Sequence, residues 1–373
     1  MIKGKVAVAL SGGEDSSVAV LLLREAGYKV IGIYMRLWDL ARSQQQEYQV
    51  ERVCQILGIP FQVADLHKEF EHYVVNYFCQ EYERGRTPNP CVACNQHIKF
   101  GFLLDQALSS GADYLATGHY ARIKESVGSC LLLKAKDTSK DQSYFLYTLN
   151  QAKLSHILFP VGIYTKASVR QIAKRAGISL AAKSSQDICF ISQKNYHAFI
   201  SQYFSSKPGD VTDTQGKILG HHRGIAFYTI GQRRGLGLAS GRPLYVIKIE
   251  PESNRVVLGD ENELYNQKVI ARDLRWIGGE APPGTVAVTA RIRYKSKEAA
   301  ATLFPTCHSE QGEASAEICF SQPQRAIAPG QSVVFYRGDE VLGGGIISNG
   351  EIRMQNEKIQ SKNKQALPSE LAS

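Results

Sequence analysis

Hydrophobic and polar positions alternate between two patterns over the first 200 residues of the chain. Short runs rich in β-branched residues are followed by longer runs with helical periodicity. This alternation predicts an α/β domain built on a doubly wound parallel sheet with helices on both faces. The predicted strands are 5–10, 28–35, 61–66 and 113–118, and the predicted helices are 15–27, 47–58, 67–85 and about 96–109.

The pattern changes after residue 204, where helical periodicity fades and short alternating strands appear between Gly- and Pro-rich turns. This half is predicted to be all-β and to close into a small barrel. The segment 207–224 is interpreted as the junction, and the predicted strands are 243–250, 254–260, 286–294 and 332–348. The predicted domains are a catalytic domain (1–205), a linker domain (206–270), a C-terminal β-barrel (271–355) and a disordered tail (356–373).

Charge and composition narrow the class of protein. The 373 residues carry a net charge of +9, which indicates a polyanionic partner such as nucleic acid, although a soluble basic enzyme would have the same charge. No run of 18 apolar residues occurs and the start does not resemble a signal peptide, so a cytoplasmic location without membrane contact is expected. There, the eight cysteines are expected to serve catalysis or metal binding rather than structural disulfides.

The sequence SGGEDSS at 11–17 lies between a predicted strand and a predicted helix, the context in which a glycine turn binds phosphate. Gly12 and Gly13 let the backbone approach an anion closely. The loop is not of the Walker A type, because it has no lysine. The S-G-G-x-D-S pattern resembles the pyrophosphate loop of the ATP pyrophosphatases. That resemblance implies ATP, with Asp15 helping to hold Mg²⁺ on the phosphates.

Six further motifs occur in one order along the chain: TPNPCVACN (87–95), ATGHYAR (116–122), KDQSYFLY (140–147), SQDICFI around Cys189, YTIGQRRGLGL (228–238) and ARIRY (290–294). With the loop, they closely resemble the tRNA-specific 2-thiouridylases over about residues 5–348. The resemblance implies that ATP adenylates the wobble uridine of tRNA at O2. Sulfur from a cysteine persulfide then adds to C2, and the products are 2-thiouridine, AMP and pyrophosphate.

The resemblance also implies an ATP site made by the end of the first strand, the loop and two outlying residues. These residues are Ala9, Leu10, Ser11, Gly12, Gly13, Glu14, Asp15, Ser16, Met35 and Gly118. Glu14 departs from the family, which usually has an apolar residue there. Because a carboxylate beside phosphates would repel them, we expect Glu14 to face solvent. Met35 has a plainer interpretation as ordinary strand core.

The tRNA contacts implied by the resemblance agree with the basic charge of the chain. They are His119, Lys140, Asp141, Gln142, Arg293, Tyr294 and Gln331. A structural role for His119 and a solvated strand face for the segment RIRY are the competing interpretations. The family prefers tRNAs for Lys, Glu and Gln, and nothing else in this chain indicates that choice.

Two cysteines match the sulfur-transfer motifs of the family. Cys189 is implied to carry the persulfide. Cys94 is implied to be its partner, attacking the persulfide or closing a transient disulfide with Cys189 after transfer. The sulfur donor would be a cysteine desulfurase or a sulfur-relay protein.

Cys91 departs from the family, because many 2-thiouridylases have an aspartate at this position. A structural zinc site is disfavoured, since the chain has no second C-x-x-C. Two interpretations remain. In the first, Cys94 and Cys189 form a persulfide relay and Cys91 is a spare or resolving thiol. In the second, the three cysteines hold three irons of a 4Fe-4S cluster. We favour the relay, because only Cys94 and Cys189 match the wider family pattern.

Two rival functions stay open at this point. One is a different pyrophosphate-loop ligase, and an ammonia-using member would have no use for Cys94 and Cys189. The other is a tRNA-binding module whose nucleotide site is only regulatory, which would bind tRNA without releasing pyrophosphate.

Overall fold

The computed structural model describes residues 3–38, 40–178, 189–191, 196–203, 207–238, 241–306 and 315–348. The predicted tail over 356–373 lies outside the described residues. The same holds for the residues that immediately precede Cys189 in its motif.

A parallel sheet forms the centre of the N-terminal domain. The strands of this part of the chain are β1 (Lys5–Leu10), β2 (Lys29–Arg36), β3 (Phe61–Asp65), β4 (Tyr114–Ala116), β5 (Ala121–Ser126), β6 (Ser129–Lys134) and β7 (Ile157–Leu158). Five of them pair in the order β3-β2-β1-β4-β7, and every pairing is parallel. The predicted doubly wound parallel sheet is therefore confirmed.

The helices of the described residues are α1 (Glu14–Glu25), α2 (Leu40–Leu57), α3 (His67–Phe70), α4 (Tyr77–Glu83), α5 (Pro90–Ala93), α6 (Leu104–Ser109), α7 (Gln151–Leu154), α8 (Lys166–Arg175) and α9 (Tyr196–Tyr203). π-Helical stretches join α3 to α4 (Glu71–Asn76) and α5 to α6 (Cys94–Leu103). Short 3₁₀ helices lie at Ser143–Leu146, Pro160–Ile163, Ile225–Phe227 and Glu261–Leu264. No described helix is long and apolar enough to span a bilayer.

The central strand β1 divides its side chains between two cores because successive residues point to opposite faces of a sheet. Val6, Val8 and Leu10 pack with α1, α2 and α8 on one face. Ala7 and Ala9 face the other side, where the long helices from α3 to α6 cover the sheet. Both faces are covered, which explains why β1 is an almost continuous apolar run.

A four-stranded sheet follows, made of β8 (Gly209–Asp213), β9 (Ile218–His222), β10 (Tyr245–Glu250) and β11 (Arg255–Gly259) in the order β10-β11-β8-β9. The sequence interpretation of 207–224 as a junction was incomplete, because this segment contains β8 and β9. Polar and glycine residues dominate both strands, so their pattern does not show the alternation of a half-buried strand.

The C-terminal barrel is built from β12 (Tyr265–Trp276), β13 (Val286–Arg291), β14 (Ala299–Thr306), β15 (Ser315–Arg325), β16 (Ser332–Arg337) and β17 (Glu340–Ile347). Strand β12 pairs with β15 at one edge and with β17 at the other, which closes the six strands into a ring. The predicted barrel is confirmed.

The hairpin β5–β6 of the N-terminal domain extends the sheet of the barrel. Leu133 of β6 pairs with Glu340 of β17, and the Lys134 N–H donates to the Asp339 carbonyl at 2.8 Å. Arg122 of β5 forms an ion pair with the Asp339 carboxylate at 2.7 Å. The sequence analysis did not predict this hairpin, which ties the catalytic domain to the barrel.

Candidate active site

The phosphate loop connects the buried strand β1 to helix α1 through residues 11–13. Gly12 has a φ of 74°, a left-handed conformation that favours glycine. The Ser16 hydroxyl donates to the Gly13 carbonyl at 3.1 Å and accepts from the Ser11 N–H at 3.3 Å. The loop is thus held by its own hydroxyl at the start of a helix, where the dipole favours an anion.

Gly118, at the turn after β4, packs directly on this loop. A β-carbon at Gly118 would lie 2.7 Å from the Ser16 nitrogen and 2.8 Å from the Asp15 carbonyl carbon. Such contacts are too short for any side chain, so the position requires glycine. The structure therefore brings Gly118 together with the loop, as the resemblance implied for the ATP site.

Met35 lies near the end of β2, at the same edge of the sheet as the loop. It is half-buried, pairs in register with Ala64 of β3, and packs against the core on the α3–α6 face. Both the core interpretation and the nucleotide contact are compatible with this position, and the contact stays a prediction.

Glu14 does not face solvent, so that expectation was wrong. Its carboxylate forms ion pairs with Lys166 at 2.7 Å and Arg170 at 3.3 Å, both on α8, and its side chain is 18% exposed. Burial opposes ionisation, but the hydrogen bonds and charges of Lys166 and Arg170 outweigh it and hold the Glu14 pKa below its ordinary value. The loop is therefore tied to α8.

Asp15 shares the same lysine. Lys166 Nζ lies 2.7 Å from both carboxylate oxygens of Asp15, and the Tyr120 hydroxyl donates to Asp15 Oδ1 at 2.7 Å. Burial, together with the hydrogen bond to Asp15, raises the pKa of Tyr120, so the phenol remains a donor. Carboxylate oxygen is the donor type that Mg²⁺ prefers, and Mg²⁺ usually takes one or two carboxylates plus phosphates. Asp15 thus fits the chemistry of a magnesium ligand.

His119 connects the phosphate loop to the helix that carries Cys94. It follows Gly118 in the chain, its Nδ1 lies 2.7 Å from the Thr117 hydroxyl, and its ring centroid is 5.8 Å from that of Phe100. Burial, with a smaller effect of Lys99, holds the His119 pKa well below its usual range, so the ring is neutral.

The TPNPCVACN motif forms a loop followed by the start of a helix. Asn89 caps α5 by accepting from the Val92 N–H at 3.4 Å, and Pro90 occupies the first turn, where its missing N–H costs nothing. Cys91 is exposed, whereas Cys94 begins the π-helical stretch and is only 7% exposed.

The three cysteines of the sequence prediction are close enough to influence one another's ionisation. Desolvation by the surrounding protein and the nearby Cys94 raise the pKa of Cys91 to about 11, although this residue keeps accessible surface. Burial, Cys94 and Cys91 raise the pKa of Cys189 to about 12, although that residue keeps accessible surface. Burial also raises the pKa of Cys94. Cys94 and Cys189 are free thiols, and their raised pKa values favour the protonated form.

Lys99 is the cation that opposes this effect at all three thiols. Its charge lowers the pKa of Cys91, Cys94 and Cys189 relative to burial alone. Cys94 and Lys99 are five residues apart, which is the hydrogen-bond spacing of a π-helix. The π-helical stretch therefore places Lys99 one turn beyond Cys94, on the same side of the helix.

The 4Fe-4S interpretation requires Cys91, Cys94 and Cys189 to converge as three ligands. Within the ranges described above, no three His, Cys, Asp or Glu side chains are arranged to hold a metal ion, and all three cysteines fall within those ranges. The 4Fe-4S interpretation therefore gains no support from the described residues and stays a prediction.

The segment 140–142 is only partly available to a tRNA. Lys140 is exposed. The Asp141 side chain is 1% exposed, forms an ion pair with Arg291 of the barrel at 3.3 Å, and accepts from the Ser143 hydroxyl at 2.9 Å. Gln142 Oε1 accepts from the Tyr120 N–H at 2.9 Å. Asp141 and Gln142 therefore position the segment, while Lys140 stays at the surface.

The barrel residues of the prediction surround the TPNPCVACN loop. Tyr294 packs against Phe145, with ring centroids 4.4 Å apart and ring planes tilted by 38°. Burial, Asp141 and the nearby Cys91 raise the pKa of Tyr294. Gln331 donates its amide to the carbonyl oxygen of Thr87 at 2.9 Å. The guanidinium of Arg293 donates to the Arg325 carbonyl at 2.6 Å.

Sequence reasoning missed Tyr120, Lys99 and Lys166. One signal was present for Lys166, because a cation at the first position of a helix opposes the helix dipole and needs another explanation. Tyr120 lies inside the ATGHYAR motif and Lys99 in the helix predicted over about 96–109, yet only tertiary packing shows what they contact.

Three family models match the chain in succession. They describe a tRNA methyl transferase HUP domain (residues 4–193), a tRNA methyl transferase PRC-barrel domain (197–260) and an aminomethyltransferase beta-barrel domain (266–347). The first model spans about half of the chain.

Three curated proteins resemble the chain over nearly their whole length, and each is named tRNA-specific 2-thiouridylase MnmA. That of Moorella thermoacetica is 48% identical, covering 92% of this chain and 99% of the relative. That of Acetivibrio thermocellus is 47% identical, covering 93% and 100%. That of Carboxydothermus hydrogenoformans is 45% identical, covering 92% and 97%. With its parallel sheet, linker sheet and barrel in the order of the three matching models, the chain belongs to the family of tRNA-specific 2-thiouridylases.

Proposed function

We propose that this protein is a tRNA-uridine 2-sulfurtransferase that uses ATP to convert the wobble uridine of tRNA into 2-thiouridine. The observation that carries the proposal is that one turn contacts both the phosphate loop and the helix that begins at Cys94. Gly118 packs on the phosphate loop, and the neighbouring His119 packs on the helix that begins at Cys94. An adenylating site and a thiol site are therefore adjacent across two consecutive residues.

ATP would lie with its phosphates on the loop at residues 11–13 and at the start of α1. The N-terminus of α1 and the Ser16-braced loop favour the anion, and the Gly118 position leaves no side chain in the way. Asp15 would hold Mg²⁺, which supplies charge neutralisation for the leaving pyrophosphate.

The reaction proceeds in two stages that each balance. The uridine O2 attacks the α-phosphorus, the bond to the bridging oxygen breaks, and pyrophosphate leaves with that electron pair. The terminal sulfur of a Cys189 persulfide then adds to C2, and AMP departs with the former O2. Attack of the Cys94 thiolate on Cys189 cleaves the S–S bond and leaves the sulfur on the base. The resulting Cys94–Cys189 disulfide needs two electrons from a thiol reductant before the next cycle.

The thiols of this site are protonated in the free protein, because burial raises the pKa of Cys94 and Cys189. Lys99 supplies the opposing charge. A cation beside a sulfur anion favours the ionised form, so Lys99 would stabilise the Cys94 thiolate when it attacks. Water would be excluded by the buried surroundings of Cys94.

The target uridine would enter between the TPNPCVACN loop and the barrel, where Tyr294 and Phe145 pack against each other near Cys91. Aromatic side chains at such a position suit a base flipped out of its stack. Lys140 and Arg293 would contact the tRNA backbone, with His119 at the edge of the base site. The proposed substrates are the tRNAs for Lys, Glu and Gln. The proposed sulfur donor is a cysteine desulfurase or a relay protein, and the proposed location is the cytoplasm.

Cys91 has the role of a bystander or resolving thiol in this scheme. It is exposed while Cys94 is buried, and only Cys94 and Cys189 match the sulfur-transfer motifs of the family. The relay through Cys94 and Cys189 requires no metal ligand at Cys91.

The function and the role of Cys91 can be tested together. Wild type and Cys91→Ser would be prepared metal-free and after anaerobic cluster reconstitution. Each would receive ATP, Mg²⁺, unmodified tRNA and a persulfide donor, and 2-thiouridine would be counted by nucleoside mass spectrometry. We expect metal-free wild type and Cys91→Ser to form the product at similar rates, and Cys94→Ser and Cys189→Ser to form none.

Three other results would contradict parts of the proposal. Product only from reconstituted wild type, lost in Cys91→Ser, would replace the relay by a cluster. Pyrophosphate release with no need for Cys94 or Cys189 would indicate a ligase of another kind. Binding of tRNA without any pyrophosphate release would indicate a binding module.

A further inference from the structure

The phosphate loop has no lysine of its own, yet a lysine from another element lies on it. Lys166 reaches the loop from the first position of α8, about 150 residues along the chain. Its Nζ lies 2.7 Å from Glu14 Oε1 and 2.7 Å from both oxygens of Asp15. Two adjacent carboxylates therefore share one ammonium group beside the anion-binding start of α1.

The placement of Lys166 opposes the preference of its own helix. A cation in the first turn is destabilised by the helix dipole, and Thr165 already caps α8 by accepting from the Ser168 N–H at 3.1 Å. The Lys166 backbone N–H donates to Asp137 at 2.9 Å, which fixes the residue independently of its ammonium group. The side chain is 20% exposed, so the ammonium group stays reachable from the loop.

We propose that Lys166 is the phosphate-binding cation of this loop, and that Glu14 forms an ion pair with it until ATP binds. This inference rests on the proposed function, because it assigns a further residue to the same ATP site. An ammonium group is a compact point charge with three donors, which suits the β- and γ-phosphates. When phosphates enter, Lys166 exchanges its carboxylate contacts for phosphate oxygens, and Asp15 becomes available to Mg²⁺.

Glu14 adds a carboxylate to the loop at a position where the family usually has an apolar residue. Arg170 remains beside Glu14 at 3.3 Å, so the carboxylate keeps a partner after Lys166 moves. The competing carboxylate nevertheless reduces the net attraction between Lys166 and ATP. Removing it should therefore strengthen the binding of ATP.

The test compares the binding of ATP and of AMP by isothermal titration calorimetry on the full-length protein with Mg²⁺. Lys166→Met should weaken the binding of ATP by about tenfold or more, as expected for one lost charge-assisted contact. The binding of AMP should change less than about threefold, because AMP lacks the β- and γ-phosphates. Lys166→Arg should recover part of the loss, and Glu14→Val should tighten ATP binding by about threefold.

Lys174→Met is the matched control, because Lys174 is an exposed lysine in the last turn of the same helix, away from the phosphate loop. We expect its binding of ATP to stay at the wild-type level. Melting curves of every variant would identify misfolding. If Lys166→Met does not fold, ATP and AMP binding are compared in Lys166→Arg instead.

Three results would overturn the inference. An equal loss of ATP and AMP binding in Lys166→Met would mean that the lysine only supports the fold. Unchanged ATP binding in Lys166→Met would mean that it does not contact phosphate, while the proposed function would stand. A wild-type protein that binds no ATP would overturn the proposed function together with this inference.

Discussion

The side-chain amide of Gln331, in the barrel, donates to the backbone carbonyl of Thr87, in the loop that leads to Cys91, at 2.9 Å. The same amide reaches the Pro88 carbonyl at 3.3 Å, and the Thr87 N–H donates to the Pro329 carbonyl at 2.7 Å. The loop before the thiols is thus held by the domain predicted to grip tRNA.

Gln331→Ala should therefore slow sulfur transfer more than it weakens tRNA binding. The loss of hydrogen bonds to two backbone carbonyls costs about 1–2 kcal/mol of loop positioning, or roughly a tenfold lower single-turnover rate. Gln324→Ala is the control, because the Gln324 amide contacts only its neighbour Gln322 among the hydrogen bonds of the described barrel. A loss of tRNA affinity as large as the loss of rate would instead restore Gln331 to the tRNA contacts.

Gly118→Ala should weaken ATP binding strongly without unfolding the domain. Its methyl group would lie 2.7 Å from the Ser16 nitrogen, so the turn and the phosphate loop would have to separate. We expect at least a tenfold weaker ATP affinity, measured by calorimetry. Gly278→Ala is the control, because a β-carbon there meets no atom within 4 Å. Wild-type affinity in Gly118→Ala would show that the loop has more freedom than its contacts indicate.

The pH dependence of thiol alkylation should report the raised pKa values of the site. Cys189 has a pKa of about 12, so its thiolate is scarce near neutrality and increases as pH rises. Alkylation of Cys189 in the free protein should accelerate by about tenfold per unit between about pH 7 and pH 10. A raised thiol pKa also favours the folded state below the unfolded pKa, and this stabilisation is lost as pH rises towards the folded value.

Peptide mass spectrometry after timed iodoacetamide labelling would measure these rates. Lys99→Met should slow the labelling of Cys94 further, because the opposing charge is gone. A labelling rate that is already constant below about pH 8 would contradict the prediction, since it would mean that the thiolate is stabilised before any ligand binds.

Asp141→Ala should destabilise the protein rather than remove a tRNA contact. Asp141 is 1% exposed and pairs with Arg291, which is 15% exposed, so the variant leaves a buried guanidinium short of one partner. We expect a cost of about 3 kcal/mol and a lower melting temperature. Asp339→Ala, which breaks the exposed ion pair with Arg122, should cost less than about 1 kcal/mol. Weaker tRNA binding at an unchanged melting temperature in Asp141→Ala would favour direct contact.

The sequence predicted those helices and strands that are determined by the pattern of neighbouring residues. β1 was predicted over the residues that it occupies, because one apolar run leads directly into a glycine turn. The hairpin β5–β6 and the strands β8 and β9 were missed, because β5, β8 and β9 are rich in polar residues or glycine. Each pair of strands also joins a distant strand that the pattern does not indicate, β17 for β6 and β11 for β8.

The site divides in the same way. Adjacent residues of one motif, such as Cys91 and Cys94, could be assigned from the pattern. Lys166 and Asp141 could not, because their partners are about 150 residues away and periodicity carries no information about such contacts. Glu14 could be singled out from the sequence because it departs from the family, but its contacts could not be predicted.

The hairpin that the catalytic domain lends to the barrel has a mechanical consequence. The Asp339 contacts to Lys134 and Arg122, together with the 2.7 Å ion pair between Lys134 and Glu298, fasten the two domains at one edge. The linker sheet shares no strand with either domain in the described ranges. Because this edge and the Gln331 contact both join the N-terminal domain to the barrel, the thiol loop and the barrel are expected to stay together in any domain motion that admits a tRNA.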